Sequence, residues 1–176
     1  VTGPGTLDWQ AATPELLAPA VAKALGDWPS ARDVLAAPID PELADTAAFC
    51  ERYGVTPEDS ANCVVIAGRR GQTTSYAACV VLATTRADVN GVVRRRLDAR
   101  KASFAPMDDA VAQTAMEYGG ITPIGLPADW PVLIDAAVLQ RPVVVIGSGL
   151  RRSKIALPSA ALAELTAAEV ISGLAR

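Results

Sequence analysis

MEYGGITPIGLP, residues 116–127, sets three glycines and two prolines among large apolar side chains. Before it, Val111, Ala115 and Tyr118 share one side of a helix beginning near Asp108 and Asp109. After it, Val132-Leu133-Ile134-Asp135 and Pro142-Val143-Val144-Val145-Ile146-Gly147 read as strands. The stretch therefore separates a helical pattern from a strand pattern. A helix ending at Tyr118 wants a residue of positive φ next, and Gly119 supplies it. That leaves Gly120, Pro123, Gly125 and Pro127 to explain. Two readings stand: a stiff connector, or a binding floor of fixed backbone groups in which Gly120 lets another molecule approach.

Further upstream, Cys63–Ala67 and Tyr76–Ala83 are rich in β-branched residues around the turn-like Gly68-Arg69-Arg70-Gly71-Gln72, predicting a hairpin buried on both faces. Asp88 caps a predicted helix with Val89, Val93 and Leu97 on its apolar side, and Ala102–Ala105 forms a short apolar piece. Near the N-terminus, Thr13-Pro14-Glu15 and Asp40-Pro41-Glu42 open two predicted helices that stop at Gly26 and Gly54, with a short strand over 33–36 between them. Toward the C-terminus, Lys154–Leu157 predicts a last strand, and one or two helices run on from Ser159. Hairpins mixed with strand-helix alternation predict an α+β fold, a mixed sheet with helices packed on it.

At 176 residues, 51% of them hydrophobic and 20% charged, the composition is that of one globular domain. The longest apolar run, 76–85, is half of a membrane span, and no basic-then-apolar leader is visible, so the expected location is cytoplasmic, away from membranes. Cys50, Cys63 and Cys79 are too far apart for a metal motif and read as buried, reduced thiols. The chain contains no histidine. That excludes the Ser-His-Asp and Cys-His arrangements and the usual zinc sites, and no metal or cofactor is expected. Gly147-Ser148-Gly149 begins like a dinucleotide fingerprint but lacks its third glycine. The net charge of −3 conceals basic clusters at Arg69 and Arg70, at Arg94, Arg95, Arg96, Arg100 and Lys101, and at Arg151, Arg152 and Lys154. They suit a polyanion touched along one side, or equally a solvated helix face.

The order Gly119-Gly120-Ile121-Thr122-Pro123-Ile124-Gly125, then Val132–Asp135, then Val145-Ile146-Gly147-Ser148-Gly149, resembles the YbaK/ProX group of prolyl-tRNA-editing-like aminoacyl-tRNA deacylases, whose motifs are GG[VI][ST]P[LI]G, VLVD and VGxG. The match runs from about residue 60 to 176, which makes this stretch the editing core and 1–59 a helical N-terminal part of the same single domain. The resemblance implies a partly barrel-like mixed sheet and hydrolysis, in trans, of the ester of a misacylated tRNA carrying a small amino acid. It also implies a positioning loop at Gly119, Gly120, Ile121, Thr122 and Pro123, with Asp135 orienting water or loop backbone. Gly147, Ser148 and Gly149 would lie beside the substrate, and the arginines with Lys101 would hold the acceptor end. An activated ester needs only a held carbonyl, oxyanion donors and a placed water, so histidine is dispensable.

One position departs from the pattern. Where the family usually carries a lysine at the start of the first hairpin strand, this chain has Asn62, which hydrogen-bonds but brings no charge. Lys23, Lys101 and Lys154 are the only lysines; Lys101, just after the arginine-rich helix, is the expected substitute. The alternative is a non-catalytic module of the same fold that binds an aminoacyl nucleotide, a tRNA end or a protein.

Overall fold

The hairpin is the spine of the molecule. In the computed structural model, which describes residues 2–176, β3 (Ala61–Arg70) and β4 (Thr73–Leu82) pair antiparallel from Ala61↔Leu82 to Arg70↔Thr73. β5 (Lys101–Phe104) adds antiparallel to β3, while β6 (Val132–Asp135) adds parallel to β4 and β9 (Ala168–Ile171) parallel to β6. The five-stranded order is β5-β3-β4-β6-β9. A second sheet of four strands has the order β1-β2-β8-β7, from β1 (Gln10–Ala11), β2 (Leu35–Pro38), β7 (Val143–Gly147) and β8 (Ser153–Pro158). The sheets meet where Ser60 bridges Val145 in parallel, and no closed barrel forms.

Alternation along the strands distributes the core. Val80, Ile134, Ile146 and Leu157 point into one cluster shared by both sheets and α1 (Pro19–Gly26). Cys79, Val81 and Leu133 point the other way, under Val93 and Leu174. Val145 and Ala156 meet Phe49 and Cys50 of α2 (Thr46–Tyr53) on the outer side of the second sheet. Strands buried on both faces carry near-continuous apolar runs, which is what made them legible.

The helices differ from the sequence expectation, each for a local reason. The first does not run from Pro14: a 3-10 turn over Pro14–Leu16 gives way to extended Leu17 and Ala18, because Pro19 disfavours the helical region for the residue before it. The second starts at Thr46, after a separate turn over Pro41–Leu43 in which Asp40 accepts from the Glu42 N–H; Gly54 ends it as expected, at φ 67°. Asp88 does cap, accepting from the Gly91 and Val92 N–H groups, but the chain then enters a π-helical turn over Val89–Val93 and a short α3 (Arg94–Arg96). α4 (Met107–Thr114) stops four residues before Tyr118. There the Thr114 hydroxyl donates to the Ala110 carbonyl at 2.7 Å and accepts from the Met116 N–H at 3.2 Å, and Ala115 turns to φ 55°. Gly119 also has positive φ, but in a later turn and not as the cap of this helix. At the C-terminus a 3-10 segment, Ser159–Glu164, and β9 stand where helices were expected. The first sixty residues likewise contribute β1 and β2 as well as helices, with Ala36 and Ala37 fully buried against β8.

Candidate functional site

Beside the Ser60–Val145 bridge, where β3 begins, a cleft of about 280 Å³ opens between the two sheets. One wall is Ala61–Val65 of β3 and another the N-terminus of α2 with Asp45 and Thr46. Gly119 and Ile121 of the glycine loop form a third, and Gly147 and Lys154, cross-strand partners in β7 and β8, the floor between them. Phe104 and Tyr118 stand at the rim, 63% and 53% exposed despite their size.

The loop's shape comes from its neighbours. A Cβ on Gly120 would lie 2.6 Å from the Leu150 backbone carbon and oxygen, and one on Gly147 would strike the Gly120 and Ile121 carbonyls. Two chain segments thus press together backbone to backbone, and only glycine permits it. Gly120 therefore serves an internal contact, not the approach of another molecule. The Gly149 N–H donates to the Gly120 carbonyl at 2.7 Å and the Glu117 N–H to the Gly149 carbonyl at 2.9 Å. Arg151 locks the arrangement: its N–H donates to the Glu117 carboxylate, and its guanidinium donates to the carbonyls of Tyr118 (3.2 Å) and Pro41 (2.9 Å). Among the described residues the N–H groups of Gly119 and Ile121, both on the cleft wall, have no hydrogen-bond acceptor, whereas that of Gly120 is used by Glu117.

Lys154 is 8% exposed, its ammonium donating to the Ala44 carbonyl at 2.9 Å and lying 5.1 Å from the Phe49 ring centroid. Desolvation, opposed by Cys50 and Asp45 and reinforced by Arg151, pulls its pKa down to about 8. Asn62 faces the same cleft, its side-chain oxygen accepting from the Thr46 hydroxyl at 2.6 Å, so its NH₂ remains a donor. Cys63 also lines the cleft, but burial pushes its thiol pKa far up, and that of Cys79 up to about 12; neither is a nucleophile at neutral pH. All three cysteines are free thiols, two buried and Cys63 half-buried. No cluster of metal-ligating side chains exists among the described residues.

The residues anticipated from sequence divide. Gly119, Ile121, Asn62 and Gly147 line the cleft; Gly120, Thr122, Ser148 and Gly149 are outside its lining, and Pro123 lines a separate depression with Trp28 and Leu126. Thr122 is fully buried with an unpartnered hydroxyl. Ser148 shares hydrogen bonds with Ser153 and the backbone of its own turn. Asp135 is outside the cleft lining: its carboxylate accepts from the Ala137 N–H at 2.8 Å and the Ala175 N–H at 2.6 Å, tying β6 to the C-terminal segment. Lys101, paired with Arg69 at the distal end of β5, is also away from the cleft lining. Asp45 and Lys154, the latter one of the basic residues noted in sequence, also line the cleft; neither belongs to the glycine motif, so no pattern marks them as cleft residues. Arg70 and Arg96 are paired with Asp98 and Glu169, while Arg69, Arg95, Arg100 and Lys101 form no ion pair among the described residues.

The fold is shared with solved structures. A candidate trans-editing enzyme for prolyl-tRNA synthetase superposes with a TM-score of 0.75 at 20% identity, over 92% of this chain and 97% of that one. A scaffold carrying a computationally grafted epitope gives the same values, and hypothetical protein APE2540 gives 0.69 at 20% identity, over 88% and 95%. No curated protein matches in sequence. The family model for the aminoacyl-tRNA editing domain, however, matches residues 40–165, a span holding the α2 N-terminus, the hairpin, the glycine loop and Lys154. The chain belongs to the aminoacyl-tRNA editing domain family.

Proposed function

We propose that the protein is a trans-acting aminoacyl-tRNA deacylase that hydrolyses the ester of a misacylated tRNA carrying a small amino acid, as in the editing of tRNA for proline. The observation that carries this is the pair of acceptor-less N–H groups at Gly119 and Ile121 on the cleft wall. Backbone donors held rigidly at one spot stabilise an oxyanion without reorganising during the reaction. The cleft volume falls just below the roughly 300–1,000 Å³ of drug-sized sites, which suits an aminoacyl group of alanine or serine size.

Water adds to the ester carbonyl carbon, and the carbonyl electron pair moves onto oxygen to give the oxyanion. Collapse breaks the bond to the ribose oxygen, which takes the proton that the attacking water gives up. The amino acid and tRNA with its free hydroxyl are released. Asp45, the carboxylate on the cleft wall, faces the substrate's α-ammonium, and Phe104 and Tyr118 offer π-faces to the terminal adenine. The free cations Arg69, Arg95, Arg100 and Lys101 bind the acceptor-stem phosphates. Asn62 favours a second reading, a binding module without turnover, since it sets a neutral side chain on the β3 wall.

Incubation with tRNAs charged correctly and incorrectly, among them tRNA for proline carrying alanine, cysteine or serine, decides between them. Release of a mischarged amino acid above the spontaneous rate is the expected result; binding without release across the panel establishes the module instead.

A further inference from the structure

We propose that the Lys154 ammonium is the catalytic cation of this cleft, reaching from β8 to donate to the carbonyl oxygen of the scissile ester; this inference rests on the deacylase reading above. Buried lysines are rare because an ammonium loses its hydration, and those that persist are normally paired with a carboxylate. Lys154 is not: no ion pair involves it among the described residues. Its protein acceptor is the Ala44 carbonyl, leaving two of three N–H donors for a substrate. Its placement points the same way. Gly147 is its cross-strand partner, and against Gly147 lie the carbonyls of Gly120 and Ile121. The lysine's position on β8 is therefore beside the loop segment that carries the acceptor-less N–H groups, and its side chain lines the same cleft. The Phe49 ring beside the ammonium would also pack against a methionine of similar length.

In the hydrolysis, the ammonium donates to the carbonyl oxygen as the electron pair moves onto it, keeps its proton, and is unchanged when the oxyanion collapses. The groups facing it are Cys50 and Asp45 from α2, Arg151 from the β7–β8 turn, and the Phe49 ring. Its lowered pKa is compatible with this role, because the charged form still predominates at neutral pH.

The test compares wild type, Lys154→Met, Lys154→Arg, and Lys154→Met with Asn62→Lys, on the mischarged tRNA that wild type cleaves best, with spontaneous hydrolysis subtracted. Loss of one oxyanion donor should lower turnover of Lys154→Met by about 100-fold or more, with a smaller change in KM. The melting temperature should be unchanged or raised. Wild-type kcat/KM should fall about tenfold per pH unit above pH ~8, and whatever turnover Lys154→Arg retains should lack that fall, because a guanidinium stays charged. Asn62→Lys, which faces the cleft from β3, should restore part of the rate. Wild-type turnover in Lys154→Met overturns the proposal, as does a rate that climbs through pH 8 to a plateau only in wild type, which makes the neutral amine a base. In parallel, 3′-alanylamido-3′-deoxyadenosine, whose amide replaces the ester, is titrated into wild type and Lys154→Met. If wild type cleaves no charged tRNA, the deacylase reading fails by itself; weaker binding of this mimic to Lys154→Met then supports the carbonyl contact, and equal binding overturns it.

Discussion

Lys154 sets stability against function at a single residue. Its folded pKa of about 8 lies below the ordinary 10.5, so between those values the unfolded chain holds the extra proton. The penalty for burying the ammonium is present in full below pH 8 and vanishes as pH rises toward 10.5, amounting to about 3 kcal/mol at most. The thiols act oppositely. Cys63 and Cys79 keep their protons in the fold beyond the ordinary 9.0, so their contribution to stability declines as pH rises above 9. The difference between wild type and Lys154→Met isolates the lysine. Urea unfolding should show Lys154→Met more stable by about 1–3 kcal/mol at pH 7, with the gap closing toward pH 10. A less stable variant at pH 7 would mean that the Ala44 hydrogen bond outweighs desolvation. Asp135 teaches the converse lesson. It stands in a family-like motif, yet both oxygens are occupied by backbone N–H groups, a bond count that no sequence pattern displays.

Among the elements, the glycine loop and the β7–β8 turn are one unit held backbone to backbone. Gly120→Ala would place a Cβ 2.6 Å from backbone atoms of Leu150, and backbone cannot give way as a side-chain tip does. We expect it to cost about 2–4 kcal/mol in denaturant unfolding and to displace the Gly119 and Ile121 N–H groups. Gly71→Ala, in the hairpin turn, is a control: its Cβ meets nothing within 4 Å, and the cost is only the strain of φ 61°, about 1 kcal/mol. Equal destabilisation by the two would dissolve the interlocked-loop account. The same unit shows how far the sequence reaches. The motif marked the loop and its glycines, but left Gly120 between a stiff connector and the approach of another molecule, because the residue it accommodates is thirty positions away.

For the whole molecule, the basic side is narrower than the arginine count suggests. Arg70 and Arg96 are spent on Asp98 and Glu169, whereas Arg69 and Lys101 pair across β3 and β5 at the edge of the five-stranded sheet. Lys101 is three residues from Phe104 at the cleft rim, roughly 10 Å along the strand, within reach of the first acceptor-stem phosphates. Reversing Arg69 and Lys101 to glutamate should weaken tRNA binding and lower the slope of log K against log salt by about 1–2, while cleavage of a minimal aminoacyl-adenosine stays unchanged. An unaltered salt slope would move the tRNA to another face. No helix among the described residues is long and apolar enough to cross a membrane.

Residue type alone marks the central strands β3, β4, β6, β7 and β8, the α+β class and the family. Runs such as Val143–Ile146 owe their form to burial on both faces, and burial is written directly in residue type. The sequence also placed four cleft residues, Asn62, Gly119, Ile121 and Gly147, because each lies inside or beside a motif. Where the helices begin and end, and that the C-terminal segment becomes β9, depends on tertiary packing, since a strand of mixed burial gains its stability from its neighbour β6. That packing alone brought Lys154 and Asp45, more than a hundred residues apart, into one cleft. A site's charge depends on which side chains share a desolvated space, and that is a property of packing between distant segments.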